Sequence, residues 1–517
     1  HDPAWTTADG EVTTYGQLTT EAGRIAAVLA EHGVQRGDRV AALVEKSPTS
    51  LLLYLACVTT GVVYVPMNPG YTDAEVDHVL SDADPQLLVH DPARAWPERA
   101  PRTLTLDPGG AGSLYDAARS TAPAPPPGRP VEPDDAAAIL YTSGTTGRPK
   151  GAVLTQANLA SNASALVDLW GFTRDDVLLH VLPTYHAHGL FVAVHCALAS
   201  ASQLVLLDRF TVDGVLDHLP RATVLMGVPT HYTRLLGDPR FDRDLTARMR
   251  LFVSGSAPMP AALHEAFRAR TGHAVLERYG MTETVMISSN PLNGERRAGT
   301  VGQPLPGVEV RITDRTDGTD RTDPADPTDQ VDQVDQEGAA PPAAGVVGVV
   351  GMIEVRGPNV SPGYWRDPER TAADRTPDGW FRTGDLGRFD DGYLTIVGRE
   401  KDLVISGGLN VYPKEVEDAL ERVDGVAESA VIGVPDADLG ECVVAIVVPV
   451  PGARLDPARL RAATRDRLAA YKVPKRVEVV PDLPRNAMGK IEKAVLRHRF
   501  AGPPEPGSPS GGPPETE

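Results

Sequence analysis

Cysteine is scarce, with only Cys57, Cys196 and Cys442 in 517 residues. Three well-separated thiols make neither a disulfide framework nor a zinc site, and a reducing cytoplasm suits them best. Long hydrophobic runs are missing as well. The longest, such as Gly345–Ile353, fall far short of the ~18 residues a membrane-spanning helix needs, so no transmembrane segment is expected. The chain opens on His1-Asp-Pro-Ala-Trp5 without an initiator Met or the basic-then-apolar layout of a signal peptide. It therefore reads as a trimmed or partial chain. Basic residues are also short, 50 against 69 acidic ones, for a net charge of −19. That balance disfavours a nucleic-acid or anionic-membrane partner.

What is present is globular in kind: 41% hydrophobic and 23% charged residues suit a folded chain of roughly three units. The acidity is uneven. Nine acidic residues and two arginines fall between Asp314 and Glu337, with an aspartate at every third position from Asp314 to Asp335. A period of three lines neither a helix face nor a strand face, and no leucine or aromatic is present to bury. The spacing does not match an EF-hand, so residues 314–344 read as a solvated low-complexity insertion.

Residues 11–95 alternate helix and strand, with helical periodicity in Gly16–His32 and Pro48–Thr60 and short apolar strands at Arg39–Val44, Val62–Pro66 and Gln86–Val89. Beyond the Pro-rich connection Thr121–Pro133 the alternation resumes: strand Ala136–Tyr141, helix Asn158–Trp170, strand Val177–Leu182, helix Gly189–Ser200 and strand Gln203–Leu207. Strands Thr223–Gly227, Leu251–Ser254 and Ala274–Tyr279 each run into a loop of small polar residues. Such loops, at the carboxyl ends of parallel strands, are where α/β folds place ligands. After Gly299 the segments shorten into a β-rich region. The expected architecture is an α/β chain: a large N-terminal domain, 1–400, of two α/β sheet subdomains plus a β-rich subdomain, then a small mobile α+β domain, 401–500. Residues 501–517 hold nothing to bury and read as a disordered Pro/Gly tail.

The segment Tyr141-Thr-Ser-Gly-Thr-Thr-Gly-Arg-Pro-Lys-Gly151 follows a buried strand and carries hydroxyls, glycines and a lysine. Glycines let backbone N–H groups approach phosphate oxygens, hydroxyls add donors, and lysine supplies a point charge. Only two residues separate Gly144 from Gly147, so the loop is not a Walker sequence. Downstream, in order, stand Ser254-Gly-Ser-Ala-Pro258, Arg278-Tyr-Gly-Met-Thr-Glu283, Arg382-Thr-Gly-Asp385, Gly398-Arg-Glu-Lys-Asp402, Ser406-Gly-Gly-Leu-Asn-Val-Tyr-Pro413 and Pro484-Arg-Asn-Ala-Met-Gly-Lys490. Taken together these motifs resemble the adenylate-forming superfamily of acyl-CoA synthetases, luciferases and peptide-synthetase adenylation domains.

The resemblance implies ATP, Mg2+ and CoA as cofactors. It implies a two-step reaction in which a carboxylate attacks the α-phosphate of ATP and a thiol then displaces AMP. For ATP it implicates Thr142, Ser143, Gly144, Thr145, Thr146, Gly147 and Lys150 at the phosphates. Gly255, Ser256, Ala257, Tyr279 and Gly280 are implied around the adenine, Thr282 at the α-phosphate, and Asp385 with Arg399 at the ribose. Glu283 is the implied magnesium ligand and Lys490 the catalytic cation. Lys401 falls at the hinge position, and Gly407 and Gly408 at the pantetheine tunnel; Leu409 stands where relatives often carry an aromatic.

The acid pocket is the distinctive part. His186 and His188 stand two apart after a strand, Arg234 lies one turn into a helix, and Arg278 precedes Tyr279. Buried cations beside a fatty chain would be costly, whereas a second substrate carboxylate would satisfy them. With Ser254 and Met281 these residues resemble the malonyl-CoA synthetase family, implying malonate or methylmalonate as substrate. Arg234, Arg278 and His188 would hold the distal carboxylate, with His186 near the reacting one. Core histidines, a metal pair without a third ligand, and an internally paired Arg278 are the other readings. A free-standing enzyme loading another acid onto CoA or onto a carrier protein is the alternative function. No membrane insertion is expected.

Overall fold

The computed structural model describes residues 2–94, 102–123, 130–142, 149–313, 349–436, 438–486 and 489–501. The acidic insertion and the C-terminal tail lie outside the described residues. The chain divides into two compact units. The first comprises His1–Thr383 with Arg388–Thr395, and the second Gly384–Gly387 with Ile396 onward.

The first unit holds two large mixed sheets. In the seven-stranded sheet, Arg39–Leu43, Val63–Pro66, Leu87–His90, Arg102–Thr105 and Ala136–Thr142 run parallel, and Lys150–Thr155 returns antiparallel beside Ala136–Thr142. The other sheet has nine strands. Its parallel run places Leu276–Tyr279, Leu251–Ser254, Val224–Gly227, Val177–His180, Gln203–Leu206 and Pro3–Thr7 side by side. The near-continuous apolar residues of these strands suit burial on both faces. One face packs Leu179, Leu225 and Phe252 against Tyr232 and Phe267 of the flanking helices.

A third sheet of four strands contains Glu309–Thr313, Gly351–Arg356, Phe381–Asp390 and Tyr393–Arg399. This is the α/β, α/β and β-rich composition expected from the sequence. Among the described residues no helix is long and apolar enough to cross a membrane.

The second unit is built on a five-stranded sheet whose centre is the hairpin Val426–Asp436 with Gly440–Pro449. Alternation along the hairpin serves two cores. Val431, Val443, Ala445 and Val447 face Val416, Leu420 and Leu460, while Ala430, Ile432, Val434 and Ile446 face Leu483 and Leu496.

One expected helix is of a different kind. Gly189–Ser200 reads as a single α-helix in sequence, but His188–Val194 is a π-helix, and an α-helix follows only over His195–Ser200. At its start a Cβ on Gly189 would lie 2.0 Å from the Pro183 carbonyl oxygen. Only glycine lets the wider turn begin so close to the incoming chain.

The nine-stranded sheet is pinned at its amino-terminal end by Asp176, whose side chain is 4% exposed and receives Arg250 Nε at 2.6 Å. Thr223 Oγ1 donates to the same carboxylate at 2.8 Å. Arg250→Ala leaves that buried charge without its cation and is expected to destabilise the unit by about 3 kcal/mol. The check is a lower melting temperature by calorimetry.

Candidate active site

The parallel strands of the nine-stranded sheet end together. Gly227 pairs with Ser254, and Ser254 with Glu277, so the loops that follow open at one edge. Arg278, near the end of its strand, is 4% exposed. Its Nε and Nη2 have no hydrogen-bond partner among the described residues. Loss of water pushes this guanidinium down to about 9. It lies against Gly255, where a Cβ would be 2.3 Å from Arg278 Cζ; any side chain there would evict the arginine.

Next in the turn, Ser256 adopts a left-handed backbone (φ 68°), a strained position for a residue with a Cβ. Its Oγ lies 3.4 Å from His188 Nδ1. The other nitrogen of His188, Nε2, has no partner among the described residues, nor do Ser254 Oγ and His231 Nδ1. Buried polar atoms are rarely left unpaired. Several at one edge of a sheet mark a place built for a polar ligand.

Burial holds these histidines neutral. His186 is pushed down to about 4 and His231 to about 3. His188 is driven well below its ordinary value by burial and then by the Arg278 charge. His186 packs against Tyr185, with ring centroids 5.1 Å apart; His231 stacks on Phe210 at 3.9 Å. Arg234 is placed differently. It is exposed on the helix Pro229–Leu236, whose buried residues are Pro229, Tyr232 and Leu235, though its charge reaches His231. Ala257 and Met281 are half-buried in their loops.

Beneath the histidine loop lies a residue that no motif singled out. Lys46 is 5% exposed. Its Nζ donates to the carbonyls of His180 and Leu182 at 3.2 and 3.0 Å and lies 3.3 Å from His180 Nδ1. Three acceptors match the three protons of an ammonium. His180 Nε2 in turn lies 2.9 Å from the Gly189 carbonyl, so the Lys46–His180 pair holds both ends of the segment that carries His186 and His188.

The loop after Arg278 leads to a second cluster. Tyr279, Gly280 and Thr282 are half-buried, and Gly280 has no room for a Cβ, which would lie 1.9 Å from the Val285 oxygen. Glu283 is 6% exposed and accepts a hydrogen bond from the Tyr364 hydroxyl at 2.9 Å. Thr142 and Lys150 are paired across the mouth of the Ser/Thr/Gly loop. Ser143, Gly144, Thr145, Thr146 and Gly147 lie outside the described residues. Lys150 Nζ sits 5.6 Å from the Tyr364 ring centroid, so Tyr364 draws Lys150 and Glu283 together. Sequence reasoning missed Tyr364, since nothing in Pro362-Gly-Tyr-Trp365 points 81 residues back to Glu283.

The second unit carries its own polar cluster. Asp385 is 4% exposed, and Arg399 Nε lies 2.9 Å from its Oδ1. Lys490 is pushed down to about 8, first by burial and then by the charges of Arg399 and Lys401, against the pull of Asp385 and Asp402. Its backbone is braced by Asn486, whose Oδ1 accepts from Lys490 N at 3.1 Å. Lys401 is exposed, and Gly407 and Gly408 form a left-handed turn (φ 60° and 80°) between two short strands. Among the described residues no three His, Cys, Asp or Glu side chains come together as a metal site.

A sheet edge where the buried Arg278 meets neutral histidines, Lys150 and Glu283 joined through Tyr364, and a second unit with a half-buried lysine near Arg399 and Asp385 are the arrangement of an adenylate-forming enzyme. The chain belongs to the AMP-binding enzyme family: that family's model matches residues 1–365, and the model of its C-terminal domain matches residues 415–490. It is an AMP-forming acid–CoA ligase. Among solved structures it is similar to ATP-bound MatB from Rhodopseudomonas palustris, at 49% identity and TM-score 0.89, covering 97% of this chain and 96% of that one. Among curated proteins it is 38% identical over 496 residues to a feruloyl-CoA synthase of an Amycolatopsis species, covering 95% of this chain and 94% of that protein. It is 34% identical over 547 residues to the malonate–CoA ligase of Arabidopsis thaliana, covering 95% and 85%.

Histidines largely screened from water set an acid limit. In the folded chain His180, His186, His195 and His231 are pushed from an ordinary 6.5 to about 3 or 4. The unfolded chain therefore takes up protons that the folded chain refuses, and stability present above pH ~6.5 is lost as pH falls toward 4. The melting temperature is expected to drop steadily from pH 7 to pH 5. A flat profile would contradict the neutral burial of these rings.

Proposed function

We propose that the acid is a small dicarboxylate, malonate or methylmalonate, activated as an acyl-adenylate and passed to CoA. The observation that carries this reading is the buried Arg278 guanidinium, two of whose nitrogens have no hydrogen-bond partner among the described residues. A monoacid with an apolar tail would leave that charge stranded, at a cost of several kcal/mol, whereas a carboxylate would take it bidentately. His188, kept neutral beside it, adds a hydrogen bond without a second charge. Arg234, exposed on its helix with its charge felt at His231, adds to the hold on the distal carboxylate from the solvent side, and His186 lies nearer the reacting one. The similarity to malonate–CoA ligases and to MatB supports the same reading.

In the first step a carboxylate oxygen of the acid attacks the α-phosphorus of ATP and the bond to pyrophosphate breaks. Ser143 through Lys150 receive the β- and γ-phosphates, Thr282 the α-phosphate, and Gly255, Ser256, Ala257 and Tyr279 border the adenine. Asp385 accepts from the ribose hydroxyls and Arg399 holds its carboxylate in place. Lys490 meets the charge that builds on the α-phosphate oxygens, as an oxyanion donor does.

Glu283 supplies hard carboxylate oxygen where magnesium would be held, an ion that commonly takes one or two carboxylates plus substrate phosphates. When bound, it neutralises phosphate charge. In the second step the thiol of CoA attacks the acyl carbon and AMP leaves, with Lys401 as the hinge and Gly407 and Gly408 lining the way for the pantetheine arm.

A feruloyl-CoA synthase among the relatives makes an aromatic monoacid the second reading. Pyrophosphate release with malonate, methylmalonate, acetate, ferulate and octanoate decides between them: the diacids are expected to lead, and a clear preference for any monoacid overturns the proposal. Lys490→Ala is expected to lose ~10²-fold or more in adenylation while still converting preformed acyl-adenylate to thioester. Equal loss in both steps would remove Lys490 from its role.

A further inference from the structure

Tyr364 occupies an unusual position. The short strand Gly363–Tyr364 pairs antiparallel with Lys150–Thr155, and Tyr364 stands opposite Ala152. Lys150, two residues along, projects from the same side of the strand, which accounts for the 5.6 Å approach of its ammonium to the phenol ring. The placement is enforced locally. Tyr364 N donates to Thr371 Oγ1 at 2.9 Å, and a Cβ on Gly363 would lie 2.3 Å from Thr371 Cγ2. Glu283 is drawn to the same place by its main chain, because Ser361 N donates to its carbonyl at 2.8 Å.

The Tyr364 hydroxyl lies 2.9 Å from Glu283 Oε1 and 3.0 Å from Asp374 Oδ2. A phenol carries one proton, so it donates to one carboxylate at a time. Asp374 has a cation of its own, since Arg370 Nε donates to its Oδ2 at 2.8 Å. The phenol proton is therefore available to orient Glu283. Were a divalent cation to take up the lone pairs of Glu283, the same proton could turn to Asp374, and the phenol would keep an acceptor.

We infer that Tyr364 is a positioning residue for the cation–nucleotide site: it aims the Glu283 carboxylate, holds it beside Lys150, and releases it to the cation by switching acceptor to Asp374. The inference rests on Glu283 being the magnesium ligand. Partners that orient a metal-binding side chain are worth 10- to 100-fold in metal affinity.

The test uses the 517-residue chain with a non-hydrolysable ATP analogue. Mn2+ binding is followed by electron paramagnetic resonance and analogue binding by calorimetry across a Mg2+ titration. Tyr364→Phe keeps the ring over Lys150 and is expected to weaken cation affinity by about 10-fold or more. Its melting temperature, its KM for the acid and its conversion of preformed acyl-adenylate to thioester should match the wild type.

Glu283→Gln should lose at least as much cation affinity, and adding Tyr364→Phe to it should cost nothing further. Wild-type cation binding by Tyr364→Phe, with Glu283→Gln impaired, overturns the role of Tyr364 alone. Unchanged binding by Glu283→Gln overturns the assignment of Glu283. An acid KM raised as much as the cation requirement would mark Tyr364 as merely structural and also overturn the inference.

Discussion

A guanidinium buried to 4% exposure, two of its nitrogens without a hydrogen-bond partner among the described residues, is the constraint around which the first unit is arranged. Arg278 sits near the end of a strand in the nine-stranded sheet, so its backbone cannot retreat, and Gly255 is compelled to lack a side chain by the space the arginine fills. The left-handed Ser256 brings a hydroxyl to His188, and His188 is kept neutral by the burial and charge around it. A fold that leaves a cation in this state has retained an energetic debt, and a ligand carboxylate is the group that discharges it.

The loop that faces Arg278 is held with comparable care. Lys46, from the seven-stranded sheet's side of the unit, ties the His180 and Leu182 carbonyls, and His180 reaches the carbonyl of Gly189. Two buried polar side chains thus support the segment bearing His186 and His188. The π-helix that begins at His188 keeps a non-standard turn where the chain passes Pro183. In the second unit the logic is electrostatic in the other direction: Asp385 and Asp402 temper the crowding of Arg399, Lys401 and Lys490.

Much of this was legible in the residues alone, and for physical reasons. Apolar strands followed by small polar loops announce a parallel sheet with a ligand edge, and the strands ending at Gly227 and Ser254 fall where their apolar runs stop, whereas Leu276–Tyr279 runs on through Glu277 and Arg278. Some motif residues come together in the structure: Lys150 and Glu283 by way of Tyr364, and Asp385 with Arg399, whose charges reach Lys490. What sequence could not supply were contacts made across long separations by residues of ordinary type. Lys46 reaches a strand 134 residues away and Tyr364 a glutamate 81 residues back; a lysine and a tyrosine carry no periodicity that reveals such partners. The side of a helix on which a residue emerges is equally hidden. Arg234 stands in a helix beside the pocket, yet the burial of Tyr232 and Leu235 turns it toward solvent.

The central claim is that a second carboxylate of the substrate answers the charge of Arg278. Monomethyl malonate keeps the shape and the reacting carboxylate of malonate while removing that second charge, so the most direct measurement compares kcat/KM for the two acids in the wild type and in Arg278→Gln. The account predicts a wild-type preference for malonate of about 10²-fold or more, the scale of an unpaired buried charge, collapsing to near parity in the variant. An equal preference in both proteins, or none in the wild type, would contradict it.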